Sequence, residues 1–207
     1  NPIKYEGSEK SISLVGFDRP FTPKEASIPI YMGSVGPFMT RKCGEIADGW
    51  ISHELCSPQY LKSNIIPKLQ EGASDKKIPK IVVSGLTVVD EDEKKAKRIA
   101  AGTVAFYASV KTYDEFFSTH GFGQEASRIR ELFKNNDIKG MIENVPDEMV
   151  DVFAIAGNKE FVTESIKRYE NIVDEIKLTP PTHFVTEEET RFAQKSILSI
   201  VNEGGIN

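Results

Sequence analysis

Apolar residues along the chain fall into short dense runs and longer periodic ones, and the two alternate. Residues 3–7 (IKYEG) and 11–15 (SISLV) are short strand-like runs joined by the polar turn Ser8-Glu9-Lys10, a hairpin pattern. Residues 17–27, with Pro20 and Pro23, read as a loop. Residues 28–32 (IPIYM) form an apolar run that ends on Gly33, which predicts a strand. Residues 38–47 then place Met39, Cys43, Ile46 and Ala47 at i, i+4, i+7 and i+8, the spacing of one helix face. Asp48-Gly49 stops that helix, Trp50-Ile51 opens a second buried strand, and Ser52, His53 and Glu54 stand at its end.

The alternation continues downstream. Ser57-Pro58 starts a helix as N-cap and first-turn proline. Leu61, Ile65, Ile66 and Leu69 follow at helical spacing, and Pro67 inside that pattern predicts a kink or an end. Residues 80–89 (KIVVSGLTVV) are continuously apolar, as in a strand buried on both faces. Asp90 with Glu93 resembles a capping box opening a helix to about residue 110, with Ala96, Ile99, Ala100, Thr103 and Tyr107 on one side. Thr112 with Glu115 predicts another cap, for a helix that Gly121 stops. Residues 124–135 read as a helix with Ile129, Leu132 and Phe133 inward, and residues 146–154 as a short one. Asn158 caps a helix to about residue 172, residues 175–179 (EIKLT) are the last strand before Pro180-Pro181, and Thr186 with Glu189 caps a final helix ending near Gly204-Gly205.

Strands alternating with helices imply parallel α/β architecture. The order is read as a single domain over residues 1–207: hairpin and loop at 1–27, βα units at 28–111, a helical insertion at 112–157 near the open end of the fold, and the last βα units at 158–207. A small open α/β sheet is the other architecture compatible with four such units.

Composition narrows the function classes. The 26 basic and 31 acidic residues are well mixed, for a net charge of −5, which speaks against nucleic acid or an anionic membrane surface as partner. No apolar stretch reaches membrane-spanning length. Two cysteines, Cys43 and Cys56, fit a reducing compartment and a cytoplasmic protein, and Cys43 reads as a small buried hydrophobe rather than a redox centre. The chain opens Asn1-Pro2 without an initiator methionine or signal peptide, which suggests a preceding segment.

Candidate chemistry gathers at the predicted strand ends. Gly33-Ser34-Val35-Gly36-Pro37 is a turn that opens a helix, so unpaired N–H groups and the positive helix end face the loop. It suits an anion or phosphate, and it equally suits a plain βα turn, where Gly and Pro are wanted for geometry alone. His53 is the only histidine at a strand end, a position for a hydrogen bond to a ligand or for a simple polar cap. His120 fits a helix C-terminus, His183 a loop, and none of the three has metal-ligand spacing. The acidic run at residues 90–93 reads as a helix-start cluster rather than a metal site.

The stretch IPIYMGSVGPFMTRKCGEIADG resembles the fifth βα unit of the luciferase-like flavin and deazaflavin enzymes. SPQYLKSNIIPKLQEG, the strand with VVDEDEKKA, the block to STHGF and DEMVDVFAIAG have similar counterparts, in the same order, in the methylene-tetrahydromethanopterin reductases of that superfamily. The resemblance implies a TIM (β/α)8 barrel of the bacterial luciferase-like type, of which this chain supplies the C-terminal half. A barrel typically takes about 250 residues. It implies an oxidoreductase passing a hydride between coenzyme F420 and a pterin-bound one-carbon unit, with an FMN-dependent monooxygenase and a non-catalytic half-barrel subunit as alternatives. The implied cofactor-binding residues are Gly33, Ser34, Val35, Gly36, Pro37, Met39 and Thr40, with His53 and Glu54 toward a small-molecule substrate. The family's catalytic acid lies in the first barrel half, so no catalytic residue is assigned. Cys56 and Val152 stand where the sugar-phosphate dehydrogenase branch has phosphate-binding residues, which disfavours a phosphosugar. A homo-oligomer completed by the N-terminal barrel half is expected.

Overall fold

The computed structural model describes residues 3–16 and 28–202. The predicted loop at 17–27 and the helix end near Gly204 lie outside them. Strands β1 (Ile3–Glu6) and β2 (Ser11–Leu14) pair as the expected antiparallel hairpin, separate from the main sheet. Their register sets Ile3 opposite Leu14 and Tyr5 opposite Ile12, so four apolar side chains share one exposed face.

The main sheet has five parallel strands: β3 (Tyr31–Gly33), β4 (Gly49–Ile51), β5 (Lys80–Val89), β6 (Ile155–Gly157) and β7 (Glu175–Thr179). The order is β3-β4-β5-β6, with β7 also on β5. β5 is the hub because it is long enough to be shared. Its start pairs with β4 (Lys80–Val82), its middle with β7 (Val82–Leu86) and its end with β6 (Thr87–Val89). Every β5 residue after Lys80 is buried, so the chain itself covers both faces of this strand. Exposed apolar surface lies elsewhere, at Ile28 and Ile30 before β3, and on the first and last helices of the chain.

Two elements escaped the sequence reading. β6 is only three residues long and sits between helices without alternation or turn signals of its own. Helix α7 (Ile138–Glu143) is a single short stretch opened by Asp137, whose carboxylate accepts the Gly140 N–H at 2.8 Å.

The first two βα units hold together through glycine. Helix α1 (Pro37–Ile46) buries Thr40, Cys43 and Gly44, whereas Met39 and Ile46 are exposed. The expected inner face of Met39, Cys43, Ile46 and Ala47 is therefore rotated by about one residue. The cause is helix contact. Short helix α2 (Pro58–Tyr60) runs through a π-helical turn at Leu61–Ile65 into helix α3 (Ile66–Ala73), which lies against α1. A Cβ on Gly44 would stand 2.2 Å from the Leu69 carbonyl oxygen, and one on Gly72 would stand 1.8 Å from that of Arg41. Two reciprocal glycines thus let the backbones meet, and the bulky residues turn away. Pro67 neither breaks nor ends the helix, because it occupies the first turn of α3 directly after the π turn, where its missing N–H is tolerated.

Downstream, helices α4 (Glu93–Ser109), α5 (Asp114–Thr119), α6 (Gly123–Lys134), α7 and α8 (Asp147–Phe153) pack as one block, with α4 against α6, α7, α8 and β5. Several caps differ from expectation. Asp92, not Asp90, caps α4 by accepting the Lys95 N–H, while Asp90 takes the Asp92 N–H and the Lys95 ammonium. Thr112 does not cap α5; residues Lys111–Tyr113 form a single 3-10 turn leading into it. Helix α9 (Lys159–Lys167) is capped by Asn158 as expected but ends well before residue 172. Helix α10 (Glu187–Asn202) opens on a true capping box, with Thr186 N–H to Glu189 at 2.8 Å and Glu189 N–H to Thr186 at 3.1 Å.

Candidate functional site

β3 and β4 are parallel neighbours in register, Gly33 beside Ile51. The turn at residues 34–36 and the segment at residues 52–54 therefore leave the same edge of the sheet, the end where ligands bind in parallel α/β folds. Gly36 has φ +84° and no atom within 4 Å of a notional Cβ, so it sits in a conformation a side chain resists, facing open space. It is the N-cap of α1 and supplies no side-chain cap; the first turn carries no acidic residue. The N–H groups of Phe38 and Met39 precede the first internal helix bond, Thr40 N–H to Gly36 C=O, and so remain available to an anion.

The turn is pinned from behind. Trp50 donates its indole N–H to Ser34 Oγ at 2.9 Å, Ser34 reaches Thr40 Oγ1 at 3.4 Å, and Thr40 donates to the Gly36 carbonyl at 2.9 Å. Of the seven residues placed at the cofactor by resemblance, Ser34 and Thr40 are buried in this relay and position the loop, whereas Gly33, Val35 and Met39 are exposed and Gly36-Pro37 line a cleft. That cleft, of about 150 Å³, is closed on the far side by Tyr60, the π turn and Glu115 of α5.

Tyr60 links the cleft to His53. Its ring packs on Phe116 at 4.9 Å, and Phe116 packs edge-on against His53 at 5.1 Å. Tyr113 (4.9 Å) and Tyr107 (5.5 Å, stacked) complete an aromatic wall around the imidazole. Burial holds the His53 pKa down at about 4, so the ring is neutral at physiological pH. Its Nδ1 accepts the Leu55 N–H at 3.2 Å, which puts the proton of the neutral ring on Nε2. His53 is thus a neutral donor at a strand end.

Glu54 follows. Its carbonyl accepts the Leu86 N–H at 3.0 Å, fixing it beside β5. Its Oε2 is buried with no hydrogen-bond partner among the described residues. Burial raises its pKa and the Lys177 ammonium on β7 opposes that rise. Tyr107 feels both burial and this carboxylate, and is pushed up to about 12.

The other histidines are structural. His120 is the C-cap of α5; its Nδ1 lies 2.8 Å from the Phe116 carbonyl and its Nε2 2.7 Å from Ser57 Oγ. His183 stacks on Phe106 at 3.8 Å. Cys43 and Cys56 are buried free thiols, each with its pKa raised by burial. Among the described residues no group of three or more His, Cys, Asp and Glu is placed to hold a metal, and no helix is long and apolar enough to cross a membrane.

Tyr60, Tyr107, Tyr113, Phe116 and Lys177 were not singled out from the sequence as site residues. The three residues from α4, the 3-10 turn and α5 come from the helical block, and only tertiary packing brings them to a strand end some fifty positions earlier. For Lys177 a signal existed: it alternates with Ile176 and Leu178 on β7.

A parallel sheet with helices on it, a glycine turn opening a helix at one strand end and a partly buried carboxyl at the next describe an α/β fold of the kind that places ligand sites at its strand ends. Residues 1–175 match the family described as luciferase-like monooxygenase, and the chain belongs to that family. It is 30% identical over 171 residues to the 5,10-methylenetetrahydromethanopterin reductase of Methanopyrus kandleri, covering 80% of this chain and 48% of that protein. It is 27% identical over 167 residues to an uncharacterised Mycobacterium tuberculosis protein, covering 75% and 49%. The solved structure of the coenzyme F420 dependent tetrahydromethanopterin reductase from M. kandleri superposes with a TM-score of 0.68 at 26% identity, covering 83% of this chain and 50% of that one. The chain spans about half the length of the curated relatives it matches.

Proposed function

We propose that this chain forms the cofactor- and substrate-facing C-terminal half of a deazaflavin-dependent oxidoreductase acting on a pterin-bound one-carbon unit. The observation that carries the reading is the uncapped start of α1 at Gly36, held open by the Trp50–Ser34–Thr40 relay and joined through Tyr60 and Phe116 to the His53 wall. The likeness to F420-dependent reductases supports it.

The residues present fit the group. The free N–H groups of Phe38 and Met39 suit the phosphate of the cofactor's side chain, and Gly36 lets it approach the backbone. The bound deazaflavin would supply the hydride chemistry. The chain's own part is to orient two planar rings and keep water from between them. The aromatic wall excludes water, and the His53 Nε2–H offers a neutral donor to a ring carbonyl. The other half of the barrel would close the site from the β3 and β7 edges.

The test is titration of F420 and FMN separately into the intact protein, followed by fluorescence. Saturable F420 binding that FMN does not displace is the expected result. Tight FMN binding with no response to F420 would replace this reading by a flavin monooxygenase.

A further inference from the structure

The cofactor turn leaves unexplained the carboxyl of Glu54, which has a buried oxygen with no partner among the described residues. Such an atom forfeits hydrogen bonds it would have in water, at a cost that a folded protein normally avoids. Glu54 stands at the end of β4, where its own carbonyl ties it to Leu86 of β5. Across β5, the β7 register sets Lys177 beside Ser84 and Thr179 beside Leu86. Ile176 and Leu178 pack toward the core, so Lys177 projects on the opposite face of β7. Its ammonium makes no ion pair or hydrogen bond among the described residues, yet it acts electrostatically on the Glu54 carboxyl. On the other side stand Tyr107 and Tyr113, both of which feel the Glu54 charge, and the His53 ring that they enclose. The carboxyl therefore sits beside the stacked His53 and Tyr107 rings, which Tyr113 meets edge-on, with one positive group near and one buried oxygen to which no described residue donates.

A carboxylate in that position is complementary to two parallel N–H donors on the edge of a planar ring. We infer that Glu54 binds the 2-amino-4-oxopyrimidine edge of a pterin lying against the Tyr107–Tyr113 wall, and so is the residue that selects pterin over flavin at this subsite. This inference rests on the pterin reading above and deepens it. A pterin presents an amino group and a ring N–H side by side, both donors, which a carboxylate accepts as a pair. The pyrimidine edge of a flavin or deazaflavin presents one N–H between two carbonyls, and would set an oxygen against a carboxylate oxygen. The two rings then cannot exchange places: deazaflavin belongs against the Gly36 turn and pterin against Glu54. The charged or titratable groups facing Glu54 are Lys177, Tyr107, Tyr113 and the neutral His53, so Glu54 is the group here whose protonation switches the pattern.

The experiment compares 6-methylpterin with 6-methyllumazine, which has the pterin skeleton but the flavin-type edge, by fluorescence titration of the intact protein. Wild type should bind the pterin at least about tenfold more tightly, the scale of one charge-assisted hydrogen bond. Glu54→Gln offers one acceptor where the carboxylate offers two, and should bring the ratio to within about threefold; Glu54→Asp should restore part of it. The wild-type preference should decline as Glu54 is protonated on acidification, and the Glu54→Gln protein should show no such decline. Near-UV circular dichroism checks that the isosteric variant is folded. Equal wild-type affinities, no pterin binding, or an unchanged ratio in Glu54→Gln would each overturn the assignment. Wild-type F420 binding, measured separately, separates this failure from failure of the cofactor reading: F420 bound and Glu54 indifferent sinks only the pterin assignment.

Discussion

Gly36 and His53 are the residues whose physics is least replaceable. At φ +84° a β-branched side chain is strained by about 1–3 kcal/mol, and it would also block backbone approach to a ligand. Gly36→Val should therefore weaken F420 binding tenfold or more in a protein that still folds, measured by fluorescence titration; an unchanged affinity would make the turn purely structural. For His53 the sign follows from its depressed pKa. The unfolded imidazole takes up a proton near pH 6.5, the folded one only near 4. Between those values the unfolded state binds more protons, so stability falls as pH drops through that window, by at most about 3 kcal/mol. Urea midpoints of wild type should decline from pH 6.5 to 4 more steeply than those of His53→Gln; parallel curves would show that the ring is not desolvated. The sequence put His53, Glu54 and the glycine turn at strand ends, because strand and turn signals are local. It was silent on Tyr107, Tyr113 and Phe116 as neighbours of His53, because that contact is made by folding a helical block back over the sheet.

Among elements, the α1–α3 pair depends on reciprocal glycines. A methyl group on Gly44 or Gly72 would meet backbone, not a flexible side chain, so the helices must separate. Gly44→Ala should destabilise the fold by about 1–3 kcal/mol, the scale of overpacking, despite alanine's better helix propensity. Thermal unfolding decides it, and a stabilised variant would mean the interface is looser than drawn. Thr186→Ala, by contrast, removes a capping box on the surface and should cost about 1 kcal/mol. The capping box of α10 and the caps Ser57 and Asn158 were legible as spacing rules. The rotated face of α1 was not, since periodicity marks apolar positions and this interface is built from small ones. β6 was missed for another reason: three residues carry no period.

For the whole molecule, the informative surface is apolar. Ile28 is 77% exposed, Phe38 68% and Leu198 59%, placed before β3, on α1 and on α10, at the two sides where the sheet ends. The hairpin adds its own exposed face of Ile3, Tyr5, Ile12 and Leu14. Surfaces of this kind are covered in stable proteins, and we propose that the other half of the barrel covers them. Alone, the chain should associate, with a light-scattering mass above that of one chain, and paired Ile28→Lys and Phe38→Lys changes should shift it toward monomer. The burial of both faces of β5 adds that the chain retains a packed core even so.

The most direct test is hydride transfer itself. The chain is combined with the N-terminal half of the barrel, reduced F420 is bound, and methylene-tetrahydromethanopterin is added while the deazaflavin's visible absorbance is followed. F420 should be reoxidised in step with the methyl-pterin formed, and Gly36→Val should slow that reoxidation through weaker cofactor binding. F420 that binds and stays reduced in the presence of the methylene-pterin would contradict the proposed function.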